Sequence, residues 1–95
     1  MQINILTENT DFFKRVIKRY GRDHQKEKAI EELKELITAI ENDDIENVVE
    51  EIGDVYVMLY QLRLIYRIPL IKIYRWIEFK LNRLKERLKG NETLE

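Results

Sequence analysis

Residues 29–59 read AIEELKELITAIENDDIENVVEEIGDVYVML, and this stretch decides the fold. Apolar residues recur every three or four positions on both sides of the polar ENDD at 41–44. That period is helical, and ENDD reads as a turn in which Asp43 or Asp44 can cap the helix that follows. Each helix carries two acids three positions apart: Glu32 and Glu35 before the turn, Glu51 and Asp54 after it. Residues at that spacing are neighbours on one helix face. Each pair is a two-carboxylate claw, and two claws facing each other would offer four oxygen donors to Mg²⁺, a hard cation that takes oxygen ligands.

The phase of the two claws matches. On a wheel of about 100° per residue, Leu36, Ile40 and Leu33 lie about 40 to 100° to one side of Glu32, and Glu35 about 60° to the other. Val55, Leu59 and Ile52 stand in the same relation to Glu51, as does Asp54 on the other side. Packing the two apolar stripes together would bring both claws to one partly desolvated edge. Four carboxylates there repel and drive some of their number to hold protons unless a cation is present; one or two divalent ions would remove the conflict. Gly53, inside the second claw, costs about 1 kcal/mol relative to Ala in a helix. Close approach by another helix or a ligand would explain it.

Outward from this hairpin the helical period continues. A first helix is expected from Thr10 or Asp11 to Tyr20, ended by Gly21. The second, over about 24–41 with Asp23 as cap, has the stripe Ile30, Leu33, Leu36, Ile37 and Ile40. The third runs to about Arg67 and is apolar nearly all round, which predicts a central or interface position. Pro69 suits the start of the fourth, whose Leu70, Ile73, Tyr74, Ile77, Leu81, Leu84 and Leu88 can bury against other helices or a second subunit, and which Gly90 would end. Residues 1–9 read as a strand-like or flexible arm and 90–95 as a frayed tail. The expectation is a single all-α domain over 1–95, a four-helix bundle completed by oligomerisation.

Bulk composition agrees. A chain of 95 residues without cysteine is marginal alone and needs tight helix packing, a bound metal or partner subunits. No cysteine and no secretory leader fit a cytoplasmic protein, and no apolar run is long enough to span a bilayer. The net charge of −1 hides an asymmetry. Residues 27–54 hold eleven acids against Lys28 and Lys34, and residues 63–89 hold nine bases against Glu78 and Glu86. A metal site beside a phosphate-binding surface would use such a division.

The segments YGRDHQKEKAIEELKELITAI and ENVVEEIGDVYVML resemble the MazG-like all-α nucleoside triphosphate pyrophosphohydrolases over about residues 16–89. That family's signature is Glu-x-x-Glu, a gap, then Glu-x-x-Asp; Glu32, Glu35, Glu51 and Asp54 fill it with fifteen residues between the claws. Gly53 before the last acid, Tyr20-Gly21 followed by Gln25, and the basic EFKLNRLKER segment at 78–87 are similar too. The resemblance implies hydrolysis of a nucleoside triphosphate to a monophosphate and pyrophosphate, with Mg²⁺ (or Mn²⁺ in its place) held by the four acids. It implies Glu35 as a ligand that also orients the attacking water, Lys80 and Arg83 on phosphate oxygens, Asn82 on phosphate, sugar or base, and Gln25 as a base reader. The broad apolar surface of the third and fourth helices predicts a homodimer or homotetramer.

Phosphoribosyl-ATP hydrolysis is the rival within that superfamily. A rival of another class is a helical oligomerisation or nucleic-acid-binding module using the basic fourth helix; the Leu, Ile, Tyr and Trp on that helix favour packing instead. His24 reads as a surface residue, and Trp76, Tyr56 and Tyr60 as core or interface.

Overall fold

The computed structural model describes residues 4–94, with side chains over residues 5–90. Five helices follow one another: α1 (Asn4–Glu8), α2 (Thr10–Tyr20), α3 (Arg22–Glu41), α4 (Ile45–Ile65) and α5 (Leu70–Leu94). No strand occurs among the described residues, as the uniform helical period predicts. No described helix is long and apolar enough to cross a membrane.

The short connections each have a local cause. Gly21 stands alone between α2 and α3 with φ 94°, a conformation that L side chains resist. Its N–H bonds Ile17 O at 2.8 Å and its carbonyl accepts from Gln25 N at 3.1 Å, so one residue ends α2 and caps α3. Asp23 therefore lies inside the first turn of α3 and does not cap it, contrary to the expectation. Asp44 does cap α4: its Oδ1 accepts from Asn47 N at 3.3 Å and its Oδ2 from Asn47 Nδ2 at 2.8 Å. After α4, Arg67 adopts φ 55°, and Ile68 N reaches back to Arg63 O at 3.0 Å. Arg63 Nη1 bonds Ile68 O at 3.1 Å and Nη2 bonds the Tyr60 hydroxyl at 3.1 Å. Arg22 Nη2 takes the Ile65 carbonyl at 2.8 Å, tying the start of α3 to the end of α4.

Two helix ends differ from the sequence reading. Asn4–Glu8 is a helical turn rather than a strand-like arm, and residues 1–3 and 95 lie outside the described residues. Helix α5 continues through Gly90 to Leu94; Gly90 does not take the positive φ that ends a helix, so the cost of one helical glycine is carried within an otherwise regular helix.

Helices α3 and α4 pack most closely, antiparallel across the three-residue turn, and α2 lies against both. Phe13 of α2 enters the core and meets the Tyr60 ring at 5.6 Å. The packed face is not the expected one. On α3 the buried side chains are Gln25, Ala29, Glu32 and Ala39, while Ile30, Leu33, Ile37 and Ile40 are exposed. On α4 Val55, Met58, Gln61 and Ile65 are buried, while Ile45, Val49, Ile52, Tyr56 and Leu59 are exposed. The two helices meet on the small-residue face that carries the carboxylates, where Ala29 and Ala39 permit close approach, and not on their large apolar stripes. Consequently α4, expected in a central or interface position, is open along one side within the chain. Gly53 is exposed, and a Cβ there would meet nothing within 4 Å, so no close approach within the chain explains it.

Helix α5 packs appreciably on none of the others. Its Leu70, Tyr74, Ile77, Leu81, Leu84 and Leu88 are all exposed, spaced four and three apart in the pattern of an interhelical seam.

Candidate active site

The α3–α4 interface can be read from one end to the other. Near the α2 end, Gln25 and Gln61 are 5% and 4% exposed, and Gln25 Nε2 donates to Gln61 Oε1 at 2.8 Å. Gln25 Oε1 pairs with His24 Nδ1 at 2.8 Å, and His24 is exposed and stacked on Tyr20. Ala29 and Met58 form the next layer of buried side chains. Beyond them the carboxylates converge. One oxygen each from Glu32, Glu35 and Glu51 lies within 4.8 Å of the other two. Asp54 is half-buried and outside that group, but close enough for its charge to act on both Glu32 and Glu51.

This cluster is under electrostatic strain. Glu32 is 8% exposed, and Oε2 of Glu32 and Oε2 of Glu51 are buried with no hydrogen-bond partner. Burial pushes Glu51 up to about 7, helped by its contact with Glu32 and by the charges of Glu35, Glu32 and Asp54. Glu32 is also raised, first by burial, with Glu35 and Asp54 adding to the shift and the contact with Glu51 opposing it. Both shifts favour the protonated form, so the cluster resists carrying its full negative charge near neutral pH. Buried carboxylate oxygens without partners are costly and are what a hard divalent cation binds. The donor set fits Mg²⁺: all oxygen, three groups within reach of one ion, a fourth beside them.

An open cleft of about 390 Å³ leads from Glu35 and Glu51 toward the α3–α4 turn, lined further by Lys34, Thr38, Asn42 and Asn47 among others. Every lining residue but Ala39 is polar or charged, yet most of the exposed lining surface comes from carbon atoms.

The other expected site residues stand elsewhere. Gln25 lies about 10 Å, two turns, before Glu32 along α3, and its amide is committed to Gln61. Lys80, Asn82 and Arg83 are exposed on α5, which does not pack on α3 or α4; within one chain they do not join the carboxylates. Arg83 rests over the Phe79 ring, which stacks on Trp76. Two residues escaped the sequence reading. Gln61 was detectable as a polar position seven residues after Asp54 inside an apolar helix. Lys28, four before Glu32, forms ion pairs with Glu31 at 3.4 Å and Glu32 at 3.6 Å.

Comparison with known proteins gives one match. No curated protein and no solved structure matches the chain. The sequence profile described as phosphoribosyl-ATP pyrophosphohydrolase matches residues 4–80, which takes in all four claw acids and both helices that hold them. The all-α architecture and the pyrophosphohydrolase character drawn from the earlier resemblance agree with this match, which names the phosphoribosyl-ATP branch rather than the general triphosphate enzymes. The chain belongs to the phosphoribosyl-ATP pyrophosphohydrolase family.

Proposed function

We propose that the chain is an Mg²⁺-dependent pyrophosphohydrolase that cleaves phosphoribosyl-ATP to phosphoribosyl-AMP and pyrophosphate. Family membership supports pyrophosphohydrolase activity and moves this substrate ahead of the simple nucleoside triphosphates that the sequence reading placed first. The observation that carries the proposal is the convergence of Glu32, Glu35 and Glu51 with two buried, unpartnered oxygens.

In this reading Glu32, Glu35, Glu51 and Asp54 hold the cation. When bound, Mg²⁺ neutralises phosphate charge and polarises the anhydride. As a ligand Glu51 would be deprotonated, so its raised value would make metal binding weaken as pH falls below about 7. Glu35, the most exposed member of the cluster, accepts a hydrogen bond from the attacking water and aims it at phosphorus. Water adds across the α–β anhydride, the bond to the bridging oxygen breaks, and pyrophosphate leaves. Thr38, Asn42 and Asn47 in the cleft offer hydrogen bonds to the rest of the nucleotide.

The reading includes a homo-oligomer. The chain exposes 8096 Å², against about 5,800 Å² for a compact monomer of its mass. The excess is on the scale of an obligate subunit interface. A second copy suits it: the basic, apolar α5 complements the acidic α3–α4 pair with its uncovered isoleucines. A partner's α5 laid there would carry Lys80, Asn82 and Arg83 toward the carboxylates, giving those residues the phosphate-binding role that their own chain does not let them fill.

The open cleft, with no loop over it among the described residues, favours hydrolysis of (d)NTPs to (d)NMPs as the second reading. Pyrophosphate release from phosphoribosyl-ATP, ATP and a panel of (d)NTPs with Mg²⁺ separates the two. The expected result is a kcat/KM for phosphoribosyl-ATP higher than for ATP by roughly tenfold or more. Equal turnover of ATP would favour the second reading, and no turnover of any nucleotide would sink both.

A further inference from the structure

A cation already sits on the carboxylate cluster, and the reading above gives it no task. Lys28 lies one helical turn before Glu32, with Nζ 3.6 Å from Glu32 Oε1 and 3.4 Å from Glu31 Oε1. Its side chain is 44% exposed and that of Glu32 11%, so the ammonium reaches from the rim into the site. Lys34, on the other side of the cluster, makes no ion pair among the described residues.

The position of Lys28 would be disfavoured by a filled site. A divalent ion on either oxygen of Glu32 would lie within about 8 Å of the present Nζ, given the 3.6 Å contact to Oε1 and metal–oxygen distances near 2.1 Å. Like charges at that separation repel in a partly desolvated pocket, and the ion would draw on the same carboxylate whose Oε1 faces the ammonium and whose Oε2 has no partner. Glu31, exposed and already bonded to Nζ at 3.4 Å, keeps the displaced lysine at the rim. A phosphate on the ion would then place anionic oxygens within reach of the same nitrogen, where a charge-assisted bond is strong.

We propose that Lys28 is an exchangeable cation: it neutralises Glu32 in the empty site and moves to a substrate phosphate oxygen when a divalent ion takes Glu32. The proposal rests on the metal-dependent pyrophosphohydrolase reading. Its consequence is a pair of effects of opposite sign. Lys28 weakens binding of the metal alone and strengthens binding of phosphate to the loaded site. A lysine that merely stabilises α3 would produce neither.

The test uses the full chain as Lys28→Gln, with Lys34→Gln as a control that removes one charge from the same helix and Lys28→Arg as one that keeps the charge. Mn²⁺ binding is measured by electron paramagnetic resonance without nucleotide, then binding of inorganic pyrophosphate to the Mn²⁺-loaded protein by calorimetry. Lys28→Gln is expected to bind Mn²⁺ roughly threefold tighter, the size of a half-exposed ion pair, and pyrophosphate roughly tenfold more weakly. Lys34→Gln should move both by less, and Lys28→Arg should stay near wild type. Unchanged or weaker Mn²⁺ binding in Lys28→Gln, or unchanged pyrophosphate binding, overturns the Lys28 assignment alone. A wild-type protein that binds no Mn²⁺ overturns the metal reading, and this proposal with it.

Discussion

At the scale of single residues, the clearest feature is that burial and neighbouring acids raise Glu51 to about 7 and raise Glu32 beside it. For an acid whose folded pKa lies above its unfolded value, the native state binds the extra proton and loses stability as pH rises between the two values. The window here runs from about 4.5 to about 7. The metal-free protein is therefore expected to melt at a lower temperature at pH 8 than at pH 5.5, and millimolar Mg²⁺ should close most of that gap. Calorimetric scans with EDTA and with Mg²⁺ check this. In Glu51→Gln the dependence on pH should flatten, because the titrating group is gone. The convergence of Glu32, Glu35 and Glu51 was legible because acids three apart at matched places on two paired helices fall on neighbouring faces. Lys28 and Gln61 were not, because each acts through a partner on the folded surface: Lys28 looks like one more solvated lysine until Glu32 is seen buried beside it.

At the scale of the helices, ends were easier to read than faces. Gly21, Asp44 and the break before Pro69 mark real boundaries, since caps and breakers act locally. Gly90 misled for the same reason, as its signal is weak against the helical residues around it. The buried face of α3 was misread because periodicity finds an apolar stripe without saying whose surface covers it. Ile30, Leu33, Ile37 and Ile40 form the better stripe, yet Ala29 and Ala39 make the closer contact. Gly53 supplies a prediction at this scale. With nothing within 4 Å of its Cβ position, Gly53→Ala should stabilise the protein by up to about 1 kcal/mol, seen as a higher denaturant midpoint. A lower midpoint would mean that a partner subunit packs against this turn.

At the scale of the whole molecule, the chain is more extended than its length predicts. A chain of 95 residues is expected to have a radius of gyration near 12 Å, and this one has 16.6 Å, because α5 stands away from the α2–α4 core. Light scattering should report a dimer or larger, and Leu81→Glu, in the middle of the exposed α5 seam, should shift the population toward monomer and reduce turnover together. A wild-type monomer would contradict the proposed assembly. The four-helix character was legible in the sequence; the placement of the fourth long helix was not, because an apolar period does not say which surface covers it, and α5 packs appreciably on no other helix. The central claim is that the Glu32–Glu35–Glu51–Asp54 cluster is the seat of pyrophosphate-releasing hydrolysis. Its most direct test is Mg²⁺-dependent pyrophosphate release by wild type and Glu51→Gln, with helicity checked by circular dichroism. The account predicts that the variant keeps its helical spectrum and loses activity by roughly a hundredfold or more; a Glu51→Gln protein that turns over substrate at the wild-type rate would contradict it.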